Sequence, residues 1–281
     1  MMRLRVEHTT GFVYPGEVSA SYNEARMLPV STENQFVLSS SLDIEPSTSV
    51  NQYVDYFGTR VASFDVLSAH TALNITARSL VEVRPRPLEH PEISWEDLAR
   101  EAQGAISTVE MLAQTPHTAP HEEVARLARS IAAEHDGPGH AAHAIAVAVG
   151  DAVEYVYGST GVHSTAAEAW EKRSGVCQDM AHITLGALRE VGIPARYVSG
   201  YLHPDPDAEV GVAVVGESHA WVEWFAGDWH GFDPTNNVEI GERHVLVGRG
   251  RDYSDVPPLR GVYGGATKSD LHVQVTITRE A

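Results

Sequence analysis

The sequence contains a single cysteine, Cys177, at the predicted start of a helix. The N-terminus of a helix carries about half a positive charge and directs free N–H groups outward, which favours a thiolate over a thiol. A nucleophilic cysteine also needs a base beside it and a third group that orients the base. A histidine and a carboxylate held together elsewhere in the chain would complete such a site.

Both groups occur on one predicted β-hairpin, with strands at residues 218–225 and 229–233 and a turn near Gly227. In an antiparallel pair the position of the turn fixes which residues face each other, and this turn brings His219 and Asp233 within a residue or two of each other. The carboxylate is then close enough to accept a hydrogen bond from the imidazole. The approach of Cys177 to this hairpin does not follow from the spacing and is assumed.

The first 85 residues are predicted to form strands. Met2, Leu4 and Val6 alternate with polar residues, at the period of two that half-buried strands show. Gly58 marks the turn of a hairpin. Short strands with turn signals and without helical periodicity predict an antiparallel β-sandwich. The prolines at 85 and 87 end this region, so we expect an N-terminal β-sandwich domain at residues 1–86.

The remainder, residues 87–281, is predicted to form an α+β domain. Apolar residues recur at helical spacing within 94–172, and a further helix is expected from near Ser174 to Val191. Strands follow, and the last of them covers 271–277, where apolar and polar residues alternate. Helices followed by an antiparallel sheet predict an α+β fold.

Composition and charge exclude several classes of partner and predict a cellular location. The chain has 281 residues, 20 Lys plus Arg against 38 Asp plus Glu, and a formal net charge of −18, which argues against nucleic acid or an anionic membrane as a partner. One cysteine excludes an intramolecular disulfide. Because the sequence shows neither an apolar run of about 20 residues nor a signal-peptide pattern, we expect a cytoplasmic protein.

No metal or cofactor is expected. The 15 histidines include no HExxH run, the lone cysteine offers no zinc-ligand spacing, and the sequence shows no DxDxDG-type calcium loop. His140 and His143 are three residues apart on a predicted helix, but solvated polar faces explain most of the histidines. The oligomeric state is left open by the sequence.

Several segments resemble the bacterial transglutaminase-like family. The resemblance covers essentially the whole chain, and no departure occurs at the three candidate site residues. The matching segments are SGVCQDMAH (174–182), GIPARYVSGY (192–201), SHAWVE (218–223), FDPTN (232–236), GRDYSDVPP (250–258), RGVY (260–263), and, in the N-terminal region, YNEAR (22–26) and DYFG (55–58).

The resemblance implies a papain-like, transglutaminase-like core that carries a Cys177, His219 and Asp233 triad. Cys177 would attack an amide carbonyl, His219 would transfer the proton, and Asp233 would hold the imidazole tautomer. The backbone N–H of Cys177 would bind the oxyanion together with a second donor, for which Gln178 and Tyr157 are candidates.

The expected function is therefore a cysteine-dependent amide hydrolase or acyl transferase that acts on peptides or proteins through a thioester. Water as acceptor gives a protease or amidase, which we favour slightly, and an amine gives a protein-glutamine transglutaminase. A non-catalytic peptide-binding module is the alternative from another class. Such a module would use the aromatic hairpin, where Trp221 and Trp229 could line a groove although core packing is the commoner use of such residues.

Near the nucleophile, Asp179 is expected to have a structural role. It would either cap the helix that Cys177 begins or pair with a cation such as Arg196. A role in recognising a substrate amine is the alternative.

Overall fold

The computed structural model describes residues 1–84, 93–265 and 268–281. Within them, antiparallel strands come first and a region of helices and a second sheet follow, which confirms the predicted mixed α+β class. The predicted boundary between residues 86 and 87 lies outside the described residues.

Long strands make up the N-terminal region, and their buried residues alternate as the sequence predicts. In the last of these strands, for example, Leu73, Ile75 and Ala77 are all buried. The predicted hairpin is present, and Gly58 at its turn has a φ of +83°, which favours glycine. The strands are β1 (Met2–Val18), β2 (Ala20–Ala25), β3 (Gln35–Glu45), β4 (Val50–Val54), β5 (Arg60–Val66) and β6 (His70–Val83).

Helices dominate the middle of the chain. They are α1 (Trp95–Gly104), α2 (Ile106–Val109), α3 (Glu122–Ala133), α4 (Pro138–Ala152), α5 (Ala166–Lys172) and α6 (Cys177–Glu190), and short 3-10 turns cover Glu110–Leu112 and Tyr253–Asp255. Helix α6 is the central one, since its residues from Gln178 to Arg189 are all buried. Its apolar side chains share a core with those of α3, α4, α5 and the second sheet.

The remaining strands are β7 (Glu154–Tyr155), β8 (Ser174–Gly175), β9 (Ala195–Leu202), β10 (Ala213–Gly216), β11 (Ser218–Phe225), β12 (Trp229–Asp233), β13 (Val238–Glu239), β14 (His244–Gly250), β15 (Leu259–Gly264) and β16 (Asp270–Arg279). Strand β7 interrupts the stretch predicted to be helical. Aromatic and β-branched residues follow each other there, and such residues favour extended backbone.

In the described residues, the strands form three larger sheets. The core sheet has the order β13-β12-β11-β9-β14, and its pairs are antiparallel. The two N-terminal sheets, β10-β16-β1-β6-β3 and β15-β2-β5-β4, each recruit strands from late in the chain. The C-terminal strand therefore pairs with β1. The short strands β7 and β8 pair in parallel.

The sheet β10-β16-β1-β6-β3 packs against the edge of the core sheet. Apolar residues of β1 and β6 share a buried cluster with Tyr201, Val245 and Val247 of the core sheet. Helix α6 packs on the other side, against β9 and β11. Among the described residues, no helix combines the length and apolar character needed to cross a membrane.

Candidate active site

Cys177 is the first residue of α6, and the residues around it fix where that helix begins. Strand β8 leads into the helix and is held by β7, whose following residue Val156 donates its N–H to the Gly175 carbonyl at 2.9 Å. The N-cap residue Val176 has no side-chain acceptor to offer the helix. The sulfur is half-buried at the end of the helix that passes through the middle of the core.

Asp179 supplies the polar cap at this helix start. Its Oδ2 atom accepts the N–H of Val176 at 2.8 Å and the hydroxyl of Thr160 at 2.5 Å. Burial raises the pKa of Asp179, although both hydrogen bonds act against that shift. The expected capping role is confirmed. Arg196, the example given for a cation partner, instead binds the buried carboxylate of Glu223, and the cation that acts on Asp179 is Lys172.

The hairpin β11–β12 carries the other two candidates. Its register pairs Val222 with Phe232, and Gly227 in the turn has a φ of +89°. His219 lies near the start of β11 and Asp233 ends β12. Their side chains meet, and His219 Nε2 lies 2.7 Å from Asp233 Oδ2.

Asp233 is fully buried and its carboxylate accepts several hydrogen bonds. Oδ1 accepts the backbone N–H groups of Thr235 at 3.0 Å and Asn236 at 3.2 Å. Oδ2 accepts the side-chain amide of Asn236 at 2.7 Å, in addition to the bond with His219. The first turn after β12 thus fixes the carboxylate in front of the imidazole.

The electrostatics of the pair favour opposite charges. Burial alone would lower the pKa of His219, but its hydrogen bonds with Asp233 and Cys177 raise that pKa to about 10. Burial would likewise raise the pKa of Asp233, but the bonds from His219 and other donors hold it well below its usual range. The structure thus brings His219 and Asp233 into direct contact, and the sulfur of Cys177 is close enough to the imidazole to influence its pKa.

A second histidine, His244, also contacts Asp233, and the sequence reasoning missed it. His244 is the first residue of β14, and its Nε2 lies 3.4 Å from Asp233 Oδ2. Burial lowers the pKa of His244, although the bond with Asp233 opposes that shift. The sequence spacing between His244 and Asp233 does not predict their contact, because β14 and β12 are not neighbouring strands in the sheet.

The ligand atoms of His219, Asp233 and His244 lie within 4.8 Å of one another, a spacing that could in principle hold a metal ion. A metal-binding imidazole needs a free lone pair on the ligating nitrogen, and its other nitrogen then carries the hydrogen. His244 has the opposite tautomer, because its Nδ1 accepts the N–H of Gly241 at 3.3 Å and Nε2 therefore keeps the hydrogen. This donor set suits hydrogen bonding to a carboxylate better than metal binding.

Close packing on strand β9, opposite His219, requires a glycine at position 200. Gly200 pairs with His219 across β9 and β11, and a Cβ atom there would lie 2.1 Å from the Val245 carbonyl and 2.5 Å from the Trp221 ring. Trp221 is only 1% exposed, so it belongs to the core and does not line a groove. Trp229 is covered by the Arg196 guanidinium, 3.8 Å from the ring centroid.

The candidates for the second oxyanion donor occupy different positions. Gln178 is buried, and its side-chain amide donates to the Val162 carbonyl at 3.2 Å. Tyr157 is 79% exposed.

Tyr155 lies near Cys177, and its hydroxyl donates to the Glu217 carboxylate at 3.3 Å. Burial, Glu217 and the nearby Cys177 raise the pKa of Tyr155 to about 12.

Comparison with known proteins identifies the class that this fold and site define. Residues 4–82 match the bacterial transglutaminase-like N-terminal region, and residues 125–234 match the transglutaminase-like superfamily. The second match includes Cys177, His219 and Asp233. The chain belongs to the transglutaminase-like superfamily, in a bacterial branch that carries its own N-terminal region.

The chain is also similar to individual proteins and to a solved structure. The chain is 44% identical to an uncharacterized protein of Mycobacterium leprae over 282 residues, with all of both chains covered. It is 33% identical to a protein-glutamine gamma-glutamyltransferase of Pseudomonas aeruginosa over 102 residues, which cover 32% of this chain and 15% of that protein. A crystal structure described as a candidate cysteine protease, from Cytophaga hutchinsonii, superposes with a TM-score of 0.77 at 20% identity and covers 99% and 97% of the two chains. This last match shows that the fold is shared.

Proposed function

We propose that the protein is a cysteine-dependent enzyme that cleaves amide bonds of peptides or proteins through a thioester intermediate on Cys177. The observation that carries the proposal is the imidazole of His219, which bonds to the buried Asp233 at 2.7 Å and interacts with the sulfur of Cys177. A histidine used only for packing would need neither partner. Cytoplasmic location and a peptide partner remain parts of this proposal.

The first half-reaction forms the thioester. With His219 protonated, the thiolate of Cys177 attacks the amide carbonyl carbon and an S–C bond forms. The imidazolium gives its proton to the leaving nitrogen, and the C–N bond breaks to release an amine. Because Asp233 occupies Nε2, the other ring nitrogen is the one that exchanges this proton with the sulfur and the leaving group.

The second half-reaction uses the neutral imidazole as a base. It removes a proton from water or from an incoming amine, whose oxygen or nitrogen attacks the thioester carbonyl, and the S–C bond breaks. The product is an acid after hydrolysis and a new amide after transfer. In both halves the backbone N–H of Cys177, at the start of α6, is the proposed donor to the oxyanion.

Hydrolysis is the acceptor chemistry we favour, and transfer is supported by one observation. The segment similar to a protein-glutamine gamma-glutamyltransferase covers 102 residues of the core. The chain has two lysines, Lys172 and Lys268, so it offers few amines for self-crosslinking. An added amine can therefore be followed with little interference from the enzyme itself.

The test presents glutaminyl peptides and a general peptide mixture to the protein, with and without a fluorescent primary amine. Mass spectrometry separates free acid and cleaved peptide, which indicate hydrolysis, from amine-labelled product, which indicates transfer. Cys177→Ala must abolish either product while the circular dichroism spectrum stays unchanged. His140→Ala, on the exposed side of α4, is the matched control and should retain full activity.

The alternative of a non-catalytic peptide-binding module makes the opposite prediction. Peptides would then be retained by Cys177→Ala and His219→Ala combined, and no product would form with the unmodified protein. A folded protein that turns over none of these substrates, yet binds peptides regardless of both substitutions, would overturn the proposal.

A further inference from the structure

His244 contacts the candidate site from the side that faces the N-terminal sheets. It is 4% exposed, and its Nε2–H points at Asp233 Oδ2 over 3.4 Å. His244 Nδ1 accepts the N–H of Gly241, which fixes this tautomer. His244 can therefore only donate to the carboxylate, through Nε2–H. The edge of its ring also packs against Trp221, with 5.4 Å between ring centroids.

The strand that carries His244 needs support of its own, because β14 is the edge strand of the core sheet. An edge strand presents backbone N–H and C=O groups without a neighbouring strand. At Leu246, two residues after His244, both groups are bound by one side chain of the N-terminal region. The Leu246 N–H donates to Gln35 Oε1 at 2.7 Å, and Gln35 Nε2 donates to the Leu246 carbonyl at 2.8 Å.

Gln35 is well placed to act as a rigid support. It is 4% exposed and lies at the start of β3. Its Nε2 also donates to the Val30 carbonyl at 2.7 Å, so both amide hydrogens and the oxygen are bound. The amide thereby takes the place of a neighbouring strand for one residue of β14. A glutamine that only filled space would need none of these contacts.

We propose that Gln35 and His244 are positioning residues, through which the N-terminal region holds Asp233, and hence His219, in the geometry needed for acyl transfer. The inference rests on the proposed function. It assigns the N-terminal region a part in the catalytic machinery, with Gln35 fixing β14, His244 fixing the carboxylate, and the carboxylate fixing the imidazole. Displacing a reacting group by about 1 Å can cost about 100-fold in rate, so such support has a measurable effect.

The first test uses His244→Phe, which keeps a ring against Trp221 but removes the donor, and His244→Gln, which keeps an N–H donor of similar reach. We expect His244→Phe to lower kcat by about 10-fold with KM little changed, as for loss of one hydrogen bond to a charged group. His244→Gln should restore most of the rate. Equal losses in both variants, or no loss in His244→Phe, would overturn the role of His244.

The second test asks whether Gln35 acts through His244. Gln35→Met keeps the size of the side chain and removes its bonds to Leu246. If the two residues act in series, the double variant Gln35→Met/His244→Phe should lose little more kcat than His244→Phe alone. Losses that multiply would mean that Gln35 supports only the fold and would overturn the coupling.

A spectroscopic readout separates this inference from the proposed function. In protein labelled with 15N-histidine, the His219 Nε2 proton bonded to Asp233 should give a downfield resonance in the unmodified chain. His244→Phe and Gln35→Met should each shift or broaden it, whereas His244→Gln should leave it near its original position. This outcome without turnover would refute the proposed function alone, and an unchanged resonance in an active enzyme would refute the inference alone.

Discussion

The Nε2 atom of His219 lies 2.7 Å from Oδ2 of Asp233, although strand pairing does not place the two residues opposite each other. The hairpin pairs Val222 with Phe232, so the same register carries His219 past the end of β12. The contact depends on the turn after Asp233, whose N–H groups hold Oδ1 and so direct Oδ2 at the imidazole. The geometry of the pair is set by the end of a strand and the turn beyond it.

The first prediction concerns this carboxylate. Asp233→Asn keeps the shape of the side chain but removes the charge that stabilises the His219 imidazolium, so we expect kcat/KM to fall by about 10²- to 10⁴-fold. Asp228→Asn is the control, because Asp228 is exposed in the turn of the same hairpin. Steady-state kinetics on both variants, with folding checked by circular dichroism, make the comparison. Equal activity in the two variants would contradict the assigned role of Asp233.

The second prediction concerns an ion cluster at the other end of β11. Glu223 is fully buried between Arg196 and Arg249, with 2.7 Å from Oε2 to the Nε atom of each. Glu223→Gln removes the buried negative charge that both guanidinium groups share, so we expect a loss of about 3–5 kcal/mol in the free energy of unfolding. Glu280→Gln breaks an exposed pair with Arg5 and should cost less than about 1 kcal/mol. Urea titration measures both, and similar losses would show that the buried cluster is not specially stabilising.

The third prediction concerns the cap of α6. Asp179→Ala removes the acceptor of the Val176 N–H, so we expect a stability loss of about 0.5–2 kcal/mol together with reduced kcat, because Cys177 is the next residue. Glu168→Ala removes a comparable cap at the start of α5, where the Thr165 N–H donates to the Glu168 carboxylate at 2.9 Å. That variant should lose similar stability and keep its activity. Thermal unfolding and steady-state kinetics are measured for both variants. A normal kcat in Asp179→Ala would contradict the idea that the cap of α6 positions Cys177.

The fourth prediction concerns pH. His8 is buried at the contact between the N-terminal region and the core, where its Nδ1 lies 2.9 Å from the Tyr201 hydroxyl. Burial lowers the pKa of His8 from 6.5 to about 4. As the pH falls between these values, the unfolded chain binds a proton that the folded chain does not, so stability decreases with falling pH.

We expect His8→Gln to lose stability less steeply than the unmodified protein over this pH range, as measured by urea titration at several pH values. Other buried histidines keep part of the slope, so it should be reduced and not abolished. His140→Gln, at an exposed position, should leave the slope unchanged. An identical slope in His8→Gln would show that His8 is not held neutral by the fold.

Local sequence patterns predict the elements that carry the candidate site better than the contacts around it. The start of α6 at Cys177 and the hairpin of His219 and Asp233 follow from local patterns, namely helical periodicity, alternation and a glycine turn. The contact between cysteine and hairpin was assumed, because it depends on how α6 packs against β11. His244 and Gln35 were missed for the same reason, since no local pattern reports a contact between distant segments.

The fold shows a similar division. Strand alternation predicted the N-terminal sheets, but the assignment of β10, β15 and β16 to them could not be predicted. A strand's alternation tells which face is buried and not which strand it pairs with. The short strand β7 was missed because two paired residues carry too little pattern to distinguish them from a helix end.

The central claim is that the Cys177 thiolate faces the His219 imidazolium, and the pH dependence of alkylation tests it most directly. Since Cys177 is the only cysteine, the mass increase with iodoacetamide reports this sulfur alone. We predict that the unmodified protein is alkylated much faster than His219→Ala at about pH 6, and that the two rates converge at about pH 9, because only the unmodified protein holds an imidazolium beside the sulfur. Coincident pH curves for the two proteins, or a sulfur that stays unreactive in the folded chain, would contradict the account.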